Sequence, residues 1–230
     1  KLSGCTSGTP QSVTVTVELT TQATIVTTTP IVCDGSNVSV TINSPTVTTT
    51  PGNLSYVVAV TSTDALHLGG TASTGFTKLK SDLPFIINGT LTNSSDIPIV
   101  VTYTVTPKLS GCTSGTPQSV TVTVEPTVVI TAVNDTICNN TATGIMPVSN
   151  QTTTNGIRYT WTVVDNTNIT GELNSTGKGQ LLGTAIVQTL NNTSNTAQKV
   201  TYRITPHAID NNDNNACPFN IVRTSLRVRA

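Results

Sequence analysis

The sequence has few aromatic, charged and metal-binding residues. Aromatic side chains make up 3% of its 230 residues and charged side chains 10%; the formal net charge is zero and there are two histidines. Without a basic patch nothing is present to hold phosphates, so nucleic acid is a poor partner. No apolar run approaches the length of a membrane-spanning helix. The shortage of histidine and the absence of C-x-x-C spacing argue against a bound metal or other cofactor.

An exact internal repeat sets the organisation of the chain. Residues 1–18 recur without change at 108–125, and repeats of this length mark tandem architectures. We therefore predict that 1–18 is the terminal strand segment of a preceding repeat, and that 19–125 and 126–230 are two complete repeats.

Threonine and serine supply about three residues in ten, and apolar and polar residues alternate wherever the sequence is regular. This period of two is typical of strands with one buried face. In 119–125, for example, Val120, Val122 and Val124 should face the core. Other strands are predicted at 37–42, 54–61, 84–91, 99–107, 126–133, 143–149, 157–164, 184–190, 199–206 and 220–228.

Six or seven short strands in about 105 residues, without an amphipathic helical stretch, predict an all-β fold of tandem antiparallel immunoglobulin-like sandwiches. Trp161 lies on the predicted third strand of its repeat, where such folds bury a tryptophan, and Val58 takes the matching place upstream. Tyr103 and Tyr202 occupy matching positions on the penultimate strand. They form either a tyrosine-corner hydrogen bond or ordinary core contacts.

The five cysteines follow the repeats. Cys33 and Cys112 lie in one repeat and Cys138 and Cys217 in the other, each pair 79 residues apart. This spacing favours one disulfide within each repeat, which leaves Cys5 unpaired in this chain. The alternative joins Cys5 to Cys33 and Cys112 to Cys138 across the repeat boundaries. Either arrangement indicates an oxidising, extracytoplasmic location.

These motifs together resemble a known family. The turns VCDG (32–35) and ICNN (137–140), the strand VTYTVTP, the turn GC-x-x-GTP and the strand SVTVTVE are similar to the PKD-like repeats of very large secreted surface proteins of Bacteroidota. The resemblance is weaker over 207–230. It implies immunoglobulin-like domains without catalytic residues that build adhesins or filaments exported by the type IX system.

Eleven N-x-[S/T] sequons occur, only modestly more than this composition gives by chance. They make possible N-glycan sites of the asparagines Asn37, Asn53, Asn88, Asn93, Asn134 and Asn168. The triplet Asp135-Thr136-Ile137 resembles the sequence at which Bacteroidota attach O-glycans, so Thr136 is the preferred O-glycan site.

No catalytic constellation stands out, so the chain is not expected to be an enzyme. His67 and His207 lie in different repeats, and the carboxylates are scattered. The segment DNNDNN at 210–215 is a weak calcium candidate through Asp210 and Asp213, but it lacks the order of known calcium loops, and a plain hairpin loop is favoured.

Two functions remain open. The favoured one is a stiff, disulfide-closed structural or adhesive repeat of a secreted cell-surface protein or filament, whose partners are neighbouring repeats or filament subunits and possibly a cell-surface or glycan ligand. The alternative is a carbohydrate-binding module of a secreted hydrolase, which requires exposed aromatic side chains. Residues 1–18 pair either with an upstream domain of the same polypeptide, which is preferred, or with another subunit.

Overall fold

The computed structural model describes residues 9–47, 54–112, 114–219 and 221–229. Within these ranges the chain is built from strands and one short 3-10 turn at Lys80–Asp82, and no described segment forms an α-helix. No helix in these ranges has the length and apolarity to cross a membrane.

The first ten strands form the upstream sandwich. They are β1 (Thr24–Thr27), β2 (Ile31–Val32), β3 (Val40–Asn43), β4 (Leu54–Ser62), β5 (Leu68–Gly69), β6 (Phe76–Leu79), β7 (Phe85–Ile87), β8 (Thr92–Asn93), β9 (Ile99–Leu109) and β10 (Gln118–Val124). One sheet has the order β1-β3-β7, the facing sheet has the order β2-β10-β9-β4-β6, and β5 pairs with β8 at the side. The pairing of β2 with β10 is parallel, whereas the others are antiparallel.

The remaining strands form the downstream sandwich. They are β11 (Ile130–Thr131), β12 (Asp135–Ile137), β13 (Thr141–Ala142), β14 (Val148–Ser149), β15 (Ile157–Val164), β16 (Ile169–Thr170), β17 (Gln180–Leu181), β18 (Thr189–Asn192), β19 (Gln198–Ile209), β20 (Asn215–Pro218) and β21 (Val222–Val228). The large sheet has the order β12-β21-β19-β15-β17, with β20 on β19, and faces β13-β18-β16 and β11-β14. As upstream, a short strand, β12, pairs in parallel with the last one.

Each sandwich has its own hydrophobic core, and the two buried clusters share no residue. The strands β4, β9 and β10 and their counterparts β15, β19 and β21 carry alternating buried side chains, because one face of each strand points into the sandwich. In β10 the prediction for Val122 and Val124 is confirmed, since both are fully buried, and Val120 is half-buried. The all-β, immunoglobulin-like fold class is therefore confirmed.

The predicted large side chains occupy equivalent core positions. Trp161 pairs with Ile204 on the neighbouring strand, as Val58 pairs with Val105 upstream. Of the two alternatives for the tyrosines, the ordinary core contact holds for both, and neither forms a tyrosine corner. The Tyr103 hydroxyl donates to the carbonyl of Ala72, 31 residues away, and the Tyr202 hydroxyl donates to the side chain of Gln188. They are buried core residues whose hydroxyl groups bond to the opposite sheet or its loops.

Candidate functional site at the junction of the two sandwiches

The loops at one end of the upstream sandwich meet the loops at one end of the downstream sandwich. At the upstream side, β2 ends at Val32 and β10 at Val124, where β9 begins. At the downstream side, β15 begins at Ile157, opposite the end of β19. Because all of these are strand ends, the two sandwiches are joined end to end and not face to face.

A disulfide between Cys33 and Cys217 closes this junction. Cys33 follows β2 directly, whereas Cys217 lies in β20, and their Cα atoms are 5.4 Å apart. This separation is normal for a disulfide. Cys217 has a φ angle of 42°, in the left-handed region, at the place where the register between β19 and β20 shifts. The bond covalently links two sandwiches whose cysteines are 184 residues apart in sequence.

The structure corrects the favoured cysteine pairing. Cys33 lies where β10 ends, whereas Cys112 follows the far end of β9, an antiparallel strand of eleven residues. Eleven residues of strand span about 34 Å, far beyond the reach of a disulfide. The bonds Cys33–Cys112 and Cys138–Cys217 are therefore not formed.

The alternative pairing is wrong as well. Cys33 is already bonded to Cys217, and Cys112 and Cys138 both carry free, exposed thiols. Cys5 lies outside the described residues.

A buried carboxylate lies beside the disulfide. Glu125 is 1% exposed, and both of its carboxylate oxygens accept the backbone N–H of Thr154, at 3.0 and 3.1 Å. Burial raises the pKa of Glu125, and the hydrogen bond from Thr154 offsets part of this rise. A charged group buried at an interface stabilises it only while it keeps its partner.

Two further carboxylates complete the junction. The Asp34 side chain accepts a hydrogen bond of 2.6 Å from the Thr127 hydroxyl. The Asp96 side chain accepts one of 2.7 Å from the Gln151 amide, and the Asp96 carbonyl accepts the N–H of Thr152 at 3.0 Å. The upstream sandwich thus presents acceptors and the downstream sandwich presents donors. This complementarity fixes the rotation of one sandwich on the other.

A buried asparagine holds together the end of each sandwich at which its last strand ends. In the upstream sandwich this residue is Asn93, which the sequence suggests as a possible N-glycan site. Asn93 is 2% exposed, and its side-chain amide donates to the carbonyls of Ile97 and Val124 at 2.8 and 2.9 Å. Its side-chain oxygen accepts from the backbone and the hydroxyl of Ser95. Asn192 makes the equivalent contacts downstream. The prediction of an N-glycan on Asn93 is therefore wrong, because its amide nitrogen is buried and fully used.

The other possible glycan sites that fall within the described residues lie on the surface. Asn37, Asn88, Asn134 and Asn168 are exposed, and Asn53 lies outside the described residues. Thr136 is exposed on β12, an edge strand of the large downstream sheet. Its backbone N–H donates to the Asp135 side chain. Among the described residues, no hydrogen bond engages the Thr136 hydroxyl.

The weak calcium candidate forms a turn held by its own hydrogen bonds. Asp210 accepts the backbone N–H groups of Asn212 and Asn214, at 2.8 and 2.7 Å, and these bonds lower its pKa. Asp213 forms a 2.6 Å ion pair with Arg158, which likewise lowers its pKa. Within the described ranges, no three acidic, histidine or cysteine side chains converge on a metal-binding position.

The two histidines have separate surroundings. His67 lies 2.6 Å from Asp64 in a turn, and this contact lowers the pKa of the Asp64 carboxyl. His207 lies 3.2 Å from the Thr160 hydroxyl in the downstream sheet, and burial lowers its pKa. The structure does not bring the two together.

The aromatic side chains lie inside the sandwiches. All eight fall within the described residues. The four tyrosines and Trp161 are buried, and the three phenylalanines are half-buried. Phe76 and Phe85 pack edge to face, with the Lys78 ammonium 4.2 Å from the Phe85 ring centre. No exposed aromatic platform for a sugar is formed by these eight side chains.

The residues of the junction were mostly missed from the sequence. In the sequence, Asp34 and Asp96 are two of several scattered carboxylates, and Glu125 is the residue that ends the 119–125 strand pattern. One signal was available: an acidic residue that ends a Val-Thr alternation and is followed directly by Pro126 must lie where one repeat meets the next.

One family model and several solved structures are similar to this chain. Residues 135–224 match the family model described as PKD-like domain. No curated protein matches the sequence. The fold resembles the Escherichia coli adhesin FdeC, with 17% identity and a TM-score of 0.47 over 94% of this chain and 66% of that one. It also resembles domains EC1–2 of human protocadherin-24, with 11% identity and a TM-score of 0.32 over 80% of this chain and 86% of that one. A protein of unknown function from Porphyromonas gingivalis W83 matches with 10% identity and a TM-score of 0.30, over 90% and 99%.

Proposed function

We propose that this chain is a stiff structural or adhesive repeat segment of a secreted cell-surface protein or extracellular filament. The observation that carries the proposal is the junction, where a disulfide and several hydrogen bonds join the two sandwiches end to end. Tandem domains joined by a flexible linker reorient freely. Here Pro126 leaves little free linker, and the covalent bond opposes bending.

The chemistry of the chain supports a location outside the cytoplasm. Disulfides persist in oxidising compartments, and an uncharged surface rich in threonine and serine suits an exposed stalk. The resemblance to PKD-like repeats supports an origin in a Bacteroidota surface protein exported by the type IX system. An N-terminal sequence and a location assay on the source cells test this origin.

The repeat organisation belongs to the same proposal. Residues 19–125 and 126–230 are two repeats, and 1–18 is the terminal strand of a preceding one. Residues 9–18 lie outside both sandwiches, with Val13, Val15 and Val17 exposed. The identical segment at 116–125 supplies β10, which pairs with β9 and β2. Such an apolar strand needs a sheet edge to cover it, and the preceding repeat provides one.

The glycan sites that remain open are part of this proposal. Thr136 carries an O-glycan, and the exposed asparagines Asn37, Asn88, Asn134 and Asn168 are the accessible N-linked positions. Peptide mass mapping of the secreted protein tests each of them. An unmodified Thr136 peptide contradicts the O-glycan assignment.

Rotational diffusion measured by 15N relaxation tests the stiff junction. The variant C112S/C138S keeps the junction and serves as the reference. Both of its sandwiches should tumble with one common, anisotropic diffusion tensor. Removing the bond as well, in C33S/C217S/C112S/C138S, should loosen this coupling. Two independent tensors in the reference protein would refute the stiff spacer.

A further inference from the structure

Two free thiols lie at opposite ends of the molecule. Cys112 is exposed in the turn after β9, at the end of the upstream sandwich that points away from the junction. Cys138 is exposed directly after β12, at the far end of the downstream sandwich. Each end of this two-sandwich unit therefore presents one cysteine.

Cys138 occupies the same structural position as Cys33. Each follows a short strand that pairs in parallel with the last strand of its sandwich. The residue after each accepts the backbone N–H of the buried asparagine: Asp34 from Asn93 at 2.9 Å, and Asn139 from Asn192 at 2.7 Å.

A second pair of hydrogen bonds gives the same alignment. The N–H of Glu125 donates to the carbonyl of Val32, and the N–H of Arg229 donates to that of Ile137, at 2.8 and 2.9 Å. Cys138 therefore lies at the same place in the downstream sandwich as Cys33 does in the upstream one. This is the end where a following sandwich would dock.

Cys112 occupies the same structural position as Cys217. In each sandwich the proline near the end of the long strand, Pro107 or Pro206, pairs with a buried tyrosine of the neighbouring strand. Its carbonyl then accepts a backbone N–H shortly after the cysteine, from Gly115 at 2.9 Å and from Phe219 at 3.1 Å. Cys112 thus lies at the end where a preceding sandwich would dock.

The sequence supplies a third copy of this position. Cys5 stands in residues 1–18 where Cys112 stands in 108–125. A cysteine at the position of Cys112 and Cys217 therefore occurs in a third segment of the chain, residues 1–18.

We propose that Cys112 and Cys138 each form one half of a further disulfide that is equivalent to the Cys33–Cys217 bond. Successive sandwiches are thereby bridged one to the next. Cys138 bonds to the Cys217-type cysteine of the sandwich that follows, and Cys112 bonds to the Cys33-type cysteine of the sandwich that precedes. The partner is a further repeat of the same polypeptide. The inference goes beyond the proposed function, because it assigns a covalent role to the two thiols that does not depend on what the protein binds.

The polar residues around Cys138 describe its partner further. Three positions around Cys138 are equivalent to the acidic positions of the internal junction. Arg229 takes the position of Glu125, Asn139 that of Asp34, and Asn195 that of Asp96. All three acidic groups are thus replaced, and only the cysteine is kept. The following sandwich should accordingly present an acceptor to Arg229, where Thr154 presents a donor to Glu125.

The bond forms by thiol–disulfide exchange with a protein disulfide of an extracytoplasmic thiol oxidoreductase. The thiolate of Cys138 attacks that disulfide and forms a mixed disulfide, with release of one oxidoreductase thiolate. The thiolate of the neighbouring cysteine then displaces the second one. Two thiols lose two protons and two electrons, and the oxidoreductase disulfide is reduced to a dithiol.

Non-reducing peptide mapping of the protein secreted by its source cells tests the proposal. We expect the Cys112 and Cys138 peptides each to be linked to a cysteine peptide of another sandwich, beside a Cys33–Cys217 pair. Free Cys112 or Cys138 thiols, or a bond between these two within one polypeptide, would overturn it. If Cys33–Cys217 is found while these thiols are free, the stiff-spacer proposal stands and this one fails.

Thiol labelling provides the matched comparison. In the chain of 230 residues alone, iodoacetamide should label Cys112 and Cys138 without reductant, and should spare Cys33 and Cys217. In the native secreted protein it should label none of the four before reduction. Electrophoresis with and without reductant separates the two sources of the partner: bonds within one polypeptide leave the mass unchanged, whereas bonds between copies give a ladder that reductant collapses. A ladder would show that the partner is a second copy of the protein, and it would overturn the assignment of the partner to the same polypeptide.

Discussion

The buried asparagine at the end of each sandwich gives the sharpest test of how the fold is stabilised. Asn93→Ala removes two hydrogen bonds donated to the carbonyls of Ile97 and Val124 and two accepted from Ser95. A hydrogen bond contributes about 1 kcal/mol net, and a buried group left without its partner costs about 1–3 kcal/mol. We therefore expect the free energy of unfolding of the upstream sandwich to fall by about 3–5 kcal/mol.

Such a loss is a large part of the stability of a small domain, which is about 5–15 kcal/mol. With a urea dependence of about 1–3 kcal/mol per molar, the midpoint should fall by at least about 1 M. Far-ultraviolet circular dichroism follows both sandwiches, whereas fluorescence follows only the downstream one, because Trp161 is the single tryptophan of the chain. Asn93→Ala should shift the first signal more than the second.

The chain offers matched controls for this experiment. Asn192→Ala makes the equivalent change downstream and should shift the Trp161 transition directly. Asn88→Ala alters an exposed asparagine, also within a sequon, and should change the unfolding free energy by less than about 0.5 kcal/mol. Equal effects of the Asn93 and Asn88 substitutions would refute the role assigned to the buried amide.

Three further predictions concern the junction, the core and the acidic turn. Burial raises the pKa of Glu125, so the folded state binds the carboxyl proton more tightly than the unfolded state does. The free energy of unfolding therefore falls as pH rises from the unfolded-state pKa, about 4.3, through the higher folded-state pKa. Glu125→Gln should flatten this dependence in urea titrations at several pH values. Trp161→Val installs the residue type found at position 58 and should lower the unfolding free energy of the downstream sandwich by about 2–4 kcal/mol, measured by circular dichroism. Millimolar Ca²⁺ should leave the melting temperature unchanged, because the carboxylates of Asp210 and Asp213 are already hydrogen-bonded or ion-paired; a rise that the double alanine variant abolishes would show a calcium site.

The strands that could be predicted are those whose alternation reports burial. The prediction at 157–164 coincides with β15, and those at 99–107 and 199–206 fall within β9 and β19. The prediction at 126–133 was too long, since only Ile130–Thr131 pairs there. Residues before it contact the junction instead, where Thr127 donates to Asp34. A strand needs a hydrogen-bonded neighbour, and a β-branched sequence alone does not specify where that neighbour begins.

The disulfide could not be predicted, because sequence spacing counts residues and does not tell which end of a sandwich they reach. The intervals between Cys33 and Cys112 and between Cys138 and Cys217 are equal, but Cys112 follows Tyr103 by nine residues whereas Cys217 follows Tyr202 by fifteen, so part of this equality is coincidental. Any pairing that joins corresponding positions, within a repeat or between neighbours, gives a regular pattern. The direction of β9, which carries the chain from one end of the sandwich to the other, decides between them.

The duplicated segment shows how strongly context determines structure in this chain. Val122 and Val124 are fully buried in β10, whereas their counterparts Val15 and Val17 are 78% and 88% exposed and lie outside any strand. The local sequence is identical, so strand propensity is identical too. The difference is the sheet edge that β9 and β2 offer to one copy. By the same reasoning, the fate of Cys112 and Cys138 depends on the sandwich that docks against each end, just as Cys33 is bonded because Cys217 is brought to it.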